Sequence, residues 1–311
     1  MIIDTEVDEL LKSVREAMIK LGHPPLEETT PEQMRYYDKK ARKFFSQPSF
    51  EGIEVINIQI DNNDYNIPAR IYKPLTHDVL PMLVYFHGGG WVFSDLDSSD
   101  YICSYISKNA NCIVMSVAYR LAPENKYPIP LEDCYTAVKW AYENRKKLAA
   151  SNLSIGGESS GANLAAAVAL KLRDNKNFKP TCQLLITPVI KYHFDTESYN
   201  NNYNFNLTKE KMKIFWNQYL HNDKQGEETY ASPLLARVNN LPPALIVSAE
   251  LDPLRDDGKL YALHLEEANI PVKYLCFNSL VHSFIHMAEK SKLAKEALDD
   301  IIREFRILIR N

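Results

Sequence analysis

The spacing of hydrophobic positions changes twice along this chain, and the changes divide it. Over residues 5–22, Val7, Leu10, Leu11, Val14, Ala17, Met18 and Leu21 recur at steps of three and four, which puts them on one helical face. A second helix is predicted over 31–45, opened by Thr30-Pro31-Glu32, where a hydroxyl can cap and a proline is preset for the first turn. The period then drops to two. Val55, Asn57 and Gln59 alternate with Ile56, Ile58 and Ile60, and the turn Asp61-Asn62-Asn63-Asp64 leads to a partner strand over 67–73.

Beyond residue 80, short apolar runs alternate with helical stretches. Strands are predicted at 82–87, 113–118, 153–157, 183–187, 244–249 and 272–277, and helices at 98–109, 131–150, 160–173, 257–268 and 286–310. This alternation specifies an α/β fold, a mostly parallel, doubly wound eight-stranded sheet with helices on both faces. Helix 160–173 is apolar nearly all round, as a helix enclosed in the core should be. The rhythm breaks between Thr187 and Ala244, where more than fifty residues intervene, among them the Asn- and Tyr-rich stretch 199–206 and an amphipathic helix over 208–220. An insertion of that length is usually functional, often a lid.

Composition works mainly by exclusion. The 311 residues are 45% hydrophobic with a net charge of −4, and no basic run interleaves with aromatics, so no nucleic-acid partner is expected. The start of the chain is acidic, with no basic segment before an apolar one, so it does not read as a signal peptide. No apolar run approaches the roughly 18 residues a membrane span needs. Cys103, Cys112, Cys134, Cys182 and Cys276 are odd in number and unpaired in spacing, which predicts buried thiols and a cytoplasmic setting.

The chemistry concentrates in four places. Gly157-Glu158-Ser159-Ser160-Gly161 lies between a predicted strand and a predicted buried helix, the context in which a tight turn lifts a serine hydroxyl clear of a sheet. The N–H of Ser160 then points where an oxyanion would form. His87-Gly88-Gly89-Gly90-Trp91 ends strand 82–87, and the N–H groups of Gly88 and Gly89 can complete a three-donor oxyanion hole. A phosphate loop is the rival reading, but the lysine and glycine spacing of such loops are missing. His282 precedes the last helix and is placed to act as base. Asp252 follows strand 244–249 and could orient it, with Glu250, Asp256 and Asp257 as competitors. His282 and His286 are four apart, yet no carboxylate or cysteine accompanies them at ligand spacing, so no metal is expected. His23, His77, His193, His221 and His264 read as solvated.

Taken with Tyr119-Arg120-Leu121-Ala122-Pro123-Glu124, these motifs resemble the hormone-sensitive-lipase-like family of α/β hydrolases from about residue 45 to the C-terminus. The resemblance implies an α/β-hydrolase fold, esterase activity without a cofactor, and Asp252 as the acid of a Ser159–His282–Asp252 triad. It also implies a roof built from the N-terminal helices, residues 1–50, and the 188–231 insertion over a catalytic domain spanning 51–311. Tyr119 to Glu124 reads as a structural tie behind the glycines. Three positions depart from the family: Glu158 where Asp is usual, Ser160 where Ala is common, and Ser283 where Gly follows the histidine.

The reading that results is a serine carboxylesterase acting on small, short-acyl esters through an acyl-enzyme. Trp91, Phe205, Leu207 and Phe215 are the expected substrate-pocket residues. A free imidazole titrates near pH 6.5, so activity is expected to rise through about pH 6–7. The alternatives are a lipase, an amide hydrolase with the same triad, or a non-catalytic receptor on the same fold. Should strand 272–277 be an exposed edge, pairing across it would give a homodimer.

Overall fold

The computed structural model describes residues 2–62, 65–201 and 205–310. Asn63 and Asp64 of the expected turn, and 202–204 of the Asn- and Tyr-rich stretch, lie outside the described residues. Strands β1 (Ile53–Ile60) and β2 (Ile67–Pro74) pair antiparallel as the alternation predicts. The rest of the sheet comprises β3 (Leu80–Phe86), β4 (Ile113–Val117), β5 (Ala150–Glu158), β6 (Gln183–Ile186), β7 (Ala244–Leu251) and β8 (Val272–Val281). The order is β1-β2-β4-β3-β5-β6-β7-β8, antiparallel at the first two pairings and parallel at all others.

Side chains divide between the two faces of this sheet with period two. Met82, Val84 and Phe86 of β3 join one apolar cluster, which also takes in Val138 and Leu164 from flanking helices, while Leu83 and Tyr85 join another with Ile102 and Ile301. Sequence order therefore delivers a sheet buried on both faces. The helices are α1 (Thr5–Lys20), α2 (Pro31–Ala41), α3 (Leu96–Ala110), α4 (Ile129–Asn144), α5 (Ser160–Asp174), α6 (Glu197–Asn200), α7 (Lys209–Tyr219), α8 (Arg255–Glu267) and α9 (Lys292–Leu308). Thr30 caps α2 in a reciprocal box with Gln33, and Thr208 caps α7 through the Lys211 N–H.

Several boundaries move from their predicted places, each for a local reason. The second helix stops at Ala41 and tightens into a 3-10 turn, Arg42–Phe44, before the Ser46 N–H bonds the carbonyl of His286. The expected final helix, 286–310, is two elements: a 3-10 turn, Phe284–Met287, and then α9, whose first turn is capped by Ser291. Strands β7 and β8 both run further than predicted, and Leu251 pairs with Val281 beyond a register shift. His282 is therefore the residue after a strand, with no intervening loop. Four cysteines are buried as expected, but Cys276 is exposed because it falls on an outward position of β8, the outermost strand. Among the described residues, no helix is long and apolar enough to cross a membrane.

Candidate active site

Strand register brings the chemistry together. In the parallel pair β3–β5, Phe86 lies beside Gly157, so the segments after them, with Gly88 and Ser159, emerge next to each other. In β7–β8 the terminal pair Leu251–Val281 sends Asp252 and His282 out side by side. All these residues leave the carboxyl ends of parallel strands, where α/β sheets open their crevices.

Ser159 is the single residue between β5 and α5, and it holds φ 55°, ψ −120°. Such a conformation costs about 1–3 kcal/mol and persists only where the surroundings enforce it. Enforcement comes from close packing. A Cβ on Gly161 would lie 2.1 Å from the carbonyl oxygen of Phe86, and one on Gly157 would lie 2.5 Å from the same atom. Only hydrogens fit between the elbow and β3. The Ser159 N–H donates to the Ile186 carbonyl at 2.9 Å, which pins the elbow to β6 as well.

His282 Nδ1 is 2.7 Å from Asp252 Oδ2, and its Nε2 is 3.0 Å from Ser159 Oγ. An ionised carboxylate only accepts, so Nδ1 carries the proton and Nε2 is left to accept from the serine hydroxyl. Asp252 is fully buried, and its other oxygen accepts from the Leu254 N–H at 2.9 Å. Burial lowers the His282 pKa, but the charge and hydrogen bond of Asp252 outweigh it, and the net shift is upward from 6.5. The activity limb expected at pH 6–7 therefore moves higher. The competing acids are engaged elsewhere: Asp257 with the Ile190 N–H and His193, Asp256 with the Ser198 N–H, and Glu250 with the Ser279 N–H. His193 is thus paired and half-buried, not solvated as its loop position suggested.

The glycine loop is held from behind. Gly89 has φ +103°, and a Cβ there would meet the Phe93 carbonyl oxygen at 2.3 Å. Tyr119 Oη donates to the His87 carbonyl at 2.8 Å, which is the tie that the Tyr119–Glu124 segment was expected to make. Arg35 of α2 adds another tie, reaching the Val92 and Ala122 carbonyls and the carboxylate of Glu124. The Ser160 side chain is less passive than its backbone role suggested, because its Oγ accepts from the Trp91 N–H at 3.2 Å and so joins elbow to glycine loop. The Ser160 N–H is the first of α5 and has no carbonyl of its own helix to meet. His87 is no rival base: burial holds it at about 4, with its Nδ1 2.8 Å from the Gly88 carbonyl.

A cavity of about 400 Å³ opens over Ser159, His282, Gly88 and Gly89. Its walls include Met18 and Met34 from α1 and α2, and Leu207 and Phe215 from the insertion. Two expected pocket residues are not among its walls. Trp91 is fully buried, with its ring stacked on Tyr219 at 4.2 Å and against Trp216 at 4.6 Å, so it fastens α7 to the body. Phe205 packs against the apolar cluster of the α9 side.

Two further features were not foreseen. Glu158 and His286 form a second carboxylate–imidazole pair at 2.7 Å. Burial pushes the Glu158 carboxyl up, yet the facing His286 and the nearby His282 bring it down to about 2. Lys211 also lines the cavity. The clue was available: Lys211 and Phe215 are four apart on one helix, so a pocket role for one implies it for the other. Among the described residues, no group of three or more His, Cys, Asp or Glu side chains could hold a metal.

A strained serine at a strand–helix elbow, a histidine bridging it to a buried aspartate, and glycines beside it define a serine hydrolase of α/β type. Residues 83–286 match the family model described as alpha/beta hydrolase fold. An arylesterase of Saccharolobus solfataricus is 33% identical over 256 residues, covering 81% of this chain and 83% of that protein. An ethyl acetate hydrolase of Pseudomonas putida is 33% identical over 244 residues, covering 75% and 76%. The crystal structure of a thermostable esterase from Pseudomonas putida ECU1011 superposes with a TM-score of 0.91 at 31% identity, covering 99% of this chain and 98% of that one. The chain belongs to the α/β-hydrolase family, in its hormone-sensitive-lipase-like esterase branch. It is a carboxylic ester hydrolase.

Proposed function

We propose that Ser159 is the nucleophile, His282 the general base and Asp252 the residue that orients it, in hydrolysis of small carboxylic esters through an acyl-enzyme. The observation that carries this reading is the continuous hydrogen-bonded line from Asp252 through His282 to Ser159 at the floor of the cavity. His282 takes the serine proton as Oγ attacks, then returns it to the leaving alcohol; water repeats the cycle on the acyl group. The N–H groups of Gly88, Gly89 and Ser160 receive the oxyanion, aided by the positive end of α5.

Residues 1–50 and the 188–231 insertion act as the cap over a body of residues 51–311, with Leu207 and Phe215 as pocket walls. The cavity volume falls within the usual small-ligand range of about 300–1,000 Å³, which favours short acyl chains over long ones. The name of the ethyl acetate hydrolase relative points the same way. A ladder of p-nitrophenyl esters from acetate to palmitate tests this, with Ser159→Ala as control. The rate should peak among the short chains and vanish in the variant; a rate still climbing at palmitate overturns the short-acyl reading. Four buried thiols support a reducing, cytoplasmic setting. The outermost position of β8 offers an edge for a homodimer, which light scattering would detect.

A further inference from the structure

Among the described residues, one cation that lines the cavity is not matched by a carboxylate in the way its neighbours are. Of the charged groups that line it, Arg42 is 2.7 Å from both Asp38 and Asp95, Glu158 is paired with His286, and Asp97 meets Arg70 at 3.0 Å. His23 lies against the Pro24 carbonyl. Lys211 is different. Its Nζ donates to the backbone carbonyl of Asn206 at 2.7 Å, and among the described residues no ion pair includes it. A carbonyl uses one of three ammonium donors and none of the charge.

Its position matters as much as its charge. Phe215, one turn further along α7, sits over the glycine loop so closely that a Cβ on Gly90 would lie 2.4 Å from its ring. On the other side, Asn206, which accepts from Lys211, donates through Nδ2 to the carbonyl of His282 at 3.1 Å. The ammonium thus faces the same space as the reacting groups, between the glycine loop and the turn that carries the base. Burial, and then the like charge of Arg15 on α1, lower its pKa from the ordinary lysine value. The opposite charge of an entering anion would offset both.

We propose that Lys211 adapts this site to esters bearing a free carboxylate, the ammonium receiving that group while the ester carbonyl meets Ser159. This rests on the ester-hydrolase reading above and specifies the substrate class of the same site. A charge-assisted hydrogen bond in a half-buried site corresponds to about a 10- to 100-fold preference.

The carboxylate can stand in the acyl half or the alcohol half of the ester, and the experiment separates the two. Monoethyl succinate and monoethyl glutarate are compared with ethyl butanoate and ethyl pentanoate; O-acetyl hydroxyalkanoic acids are compared with alkyl acetates of equal length. Alkaline uptake gives kcat/KM for each. In at least one series the ratio of charged to neutral ester should fall about tenfold or more in Lys211→Met, fall further in Lys211→Glu, and survive in Lys211→Arg. Raised salt should erode the wild-type ratio. If both kcat/KM values drop together and the ratio holds, Lys211 acts through Asn206 on the base and the proposal is wrong. If wild type cleaves the neutral esters and no ratio moves, the carboxylate proposal fails alone. If wild type cleaves no ester at all, the underlying reading fails with it.

Discussion

Two carboxylate–histidine pairs meet at the nucleophile with the same separation and different consequences. Asp252–His282 and Glu158–His286 both close to 2.7 Å, both carboxylates are buried, and the two imidazoles sit four residues apart around one turn. The far nitrogen of His282 faces the Ser159 hydroxyl. His286 instead feels Asp38 and Arg42, and its carbonyl accepts from the Ser46 N–H, so it joins the elbow to the segment that follows α2. A pair of this kind becomes chemistry only when the second ring nitrogen meets a group that can react. Otherwise it is a fastening, here between the residue before the nucleophile and the turn after the base.

The comparison breaks most visibly at the serine. Ser159→Ala should reduce kcat by roughly 10⁴–10⁶, leaving only what binding and the oxyanion donors supply. Asp252→Asn should cost about 10⁴, because an amide presents a donor to Nδ1 and selects the wrong tautomer. Steady-state rates on p-nitrophenyl acetate check both, and comparable losses from Glu158→Gln would erase the distinction between the pairs. Glu158→Ala should act on stability, by about 1–3 kcal/mol, since it leaves a half-buried imidazole without its partner. Chemical denaturation measures this.

His282 and Glu158 predict opposite pH behaviour, while His286, also raised above 6.5 by Glu158, follows His282. His282 must be neutral to accept a proton, and its pKa is raised above 6.5, so kcat/KM should climb as pH rises through that higher value. The stability contributed by a raised histidine is complete below pH 6.5 and is lost across that same climb. Glu158 is depressed from 4.5 to about 2, so its contribution is complete above pH 4.5 and fades as pH falls toward 2. Activity should therefore be gained where part of the stability is surrendered. A pH–rate profile beside a pH–melting profile tests this, and a rate limb centred below 6.5 would contradict it.

What the sequence made legible follows the same division. Ser159, His282 and the glycine loop were readable because tight turns and strand ends leave local signatures: glycines that tolerate no Cβ, and residues just past apolar runs. Only the family resemblance separated Asp252 from Glu250, Asp256 and Asp257. The strands, their alternation with helices and the enclosed helix followed from periodicity, and the Tyr119 tie from the family resemblance. Glu158–His286 was not readable, because its meaning depends on two residues 128 positions apart closing on one spot. Trp91 was misplaced for a related reason. Its neighbours in sequence line the site, but its ring turns toward Tyr219, an element that pattern alone could not dock. Cys276 shows the limit from the other side, since pattern alone left open whether β8 is an edge until the sheet order put it at one.

The smallest effect is the finest test of how that turn is held. Ser283 stands between the base and the fastening histidine with φ 62°, ψ 21°, in the left-handed region that a Cβ disfavours. Glycine there removes roughly 1–2 kcal/mol of strain, and returns about 0.5–1 kcal/mol through the greater freedom of the unfolded chain. The Ser283 hydroxyl also helps to hold the Glu158 carboxyl down, but its influence is the least of the groups acting there. The strain term wins, so Ser283→Gly should raise stability by about 0.5–1 kcal/mol and shift the urea midpoint upward at constant slope. A midpoint that falls would mean the hydroxyl outweighs the backbone, and that the second pair depends on this serine for its place beside the first.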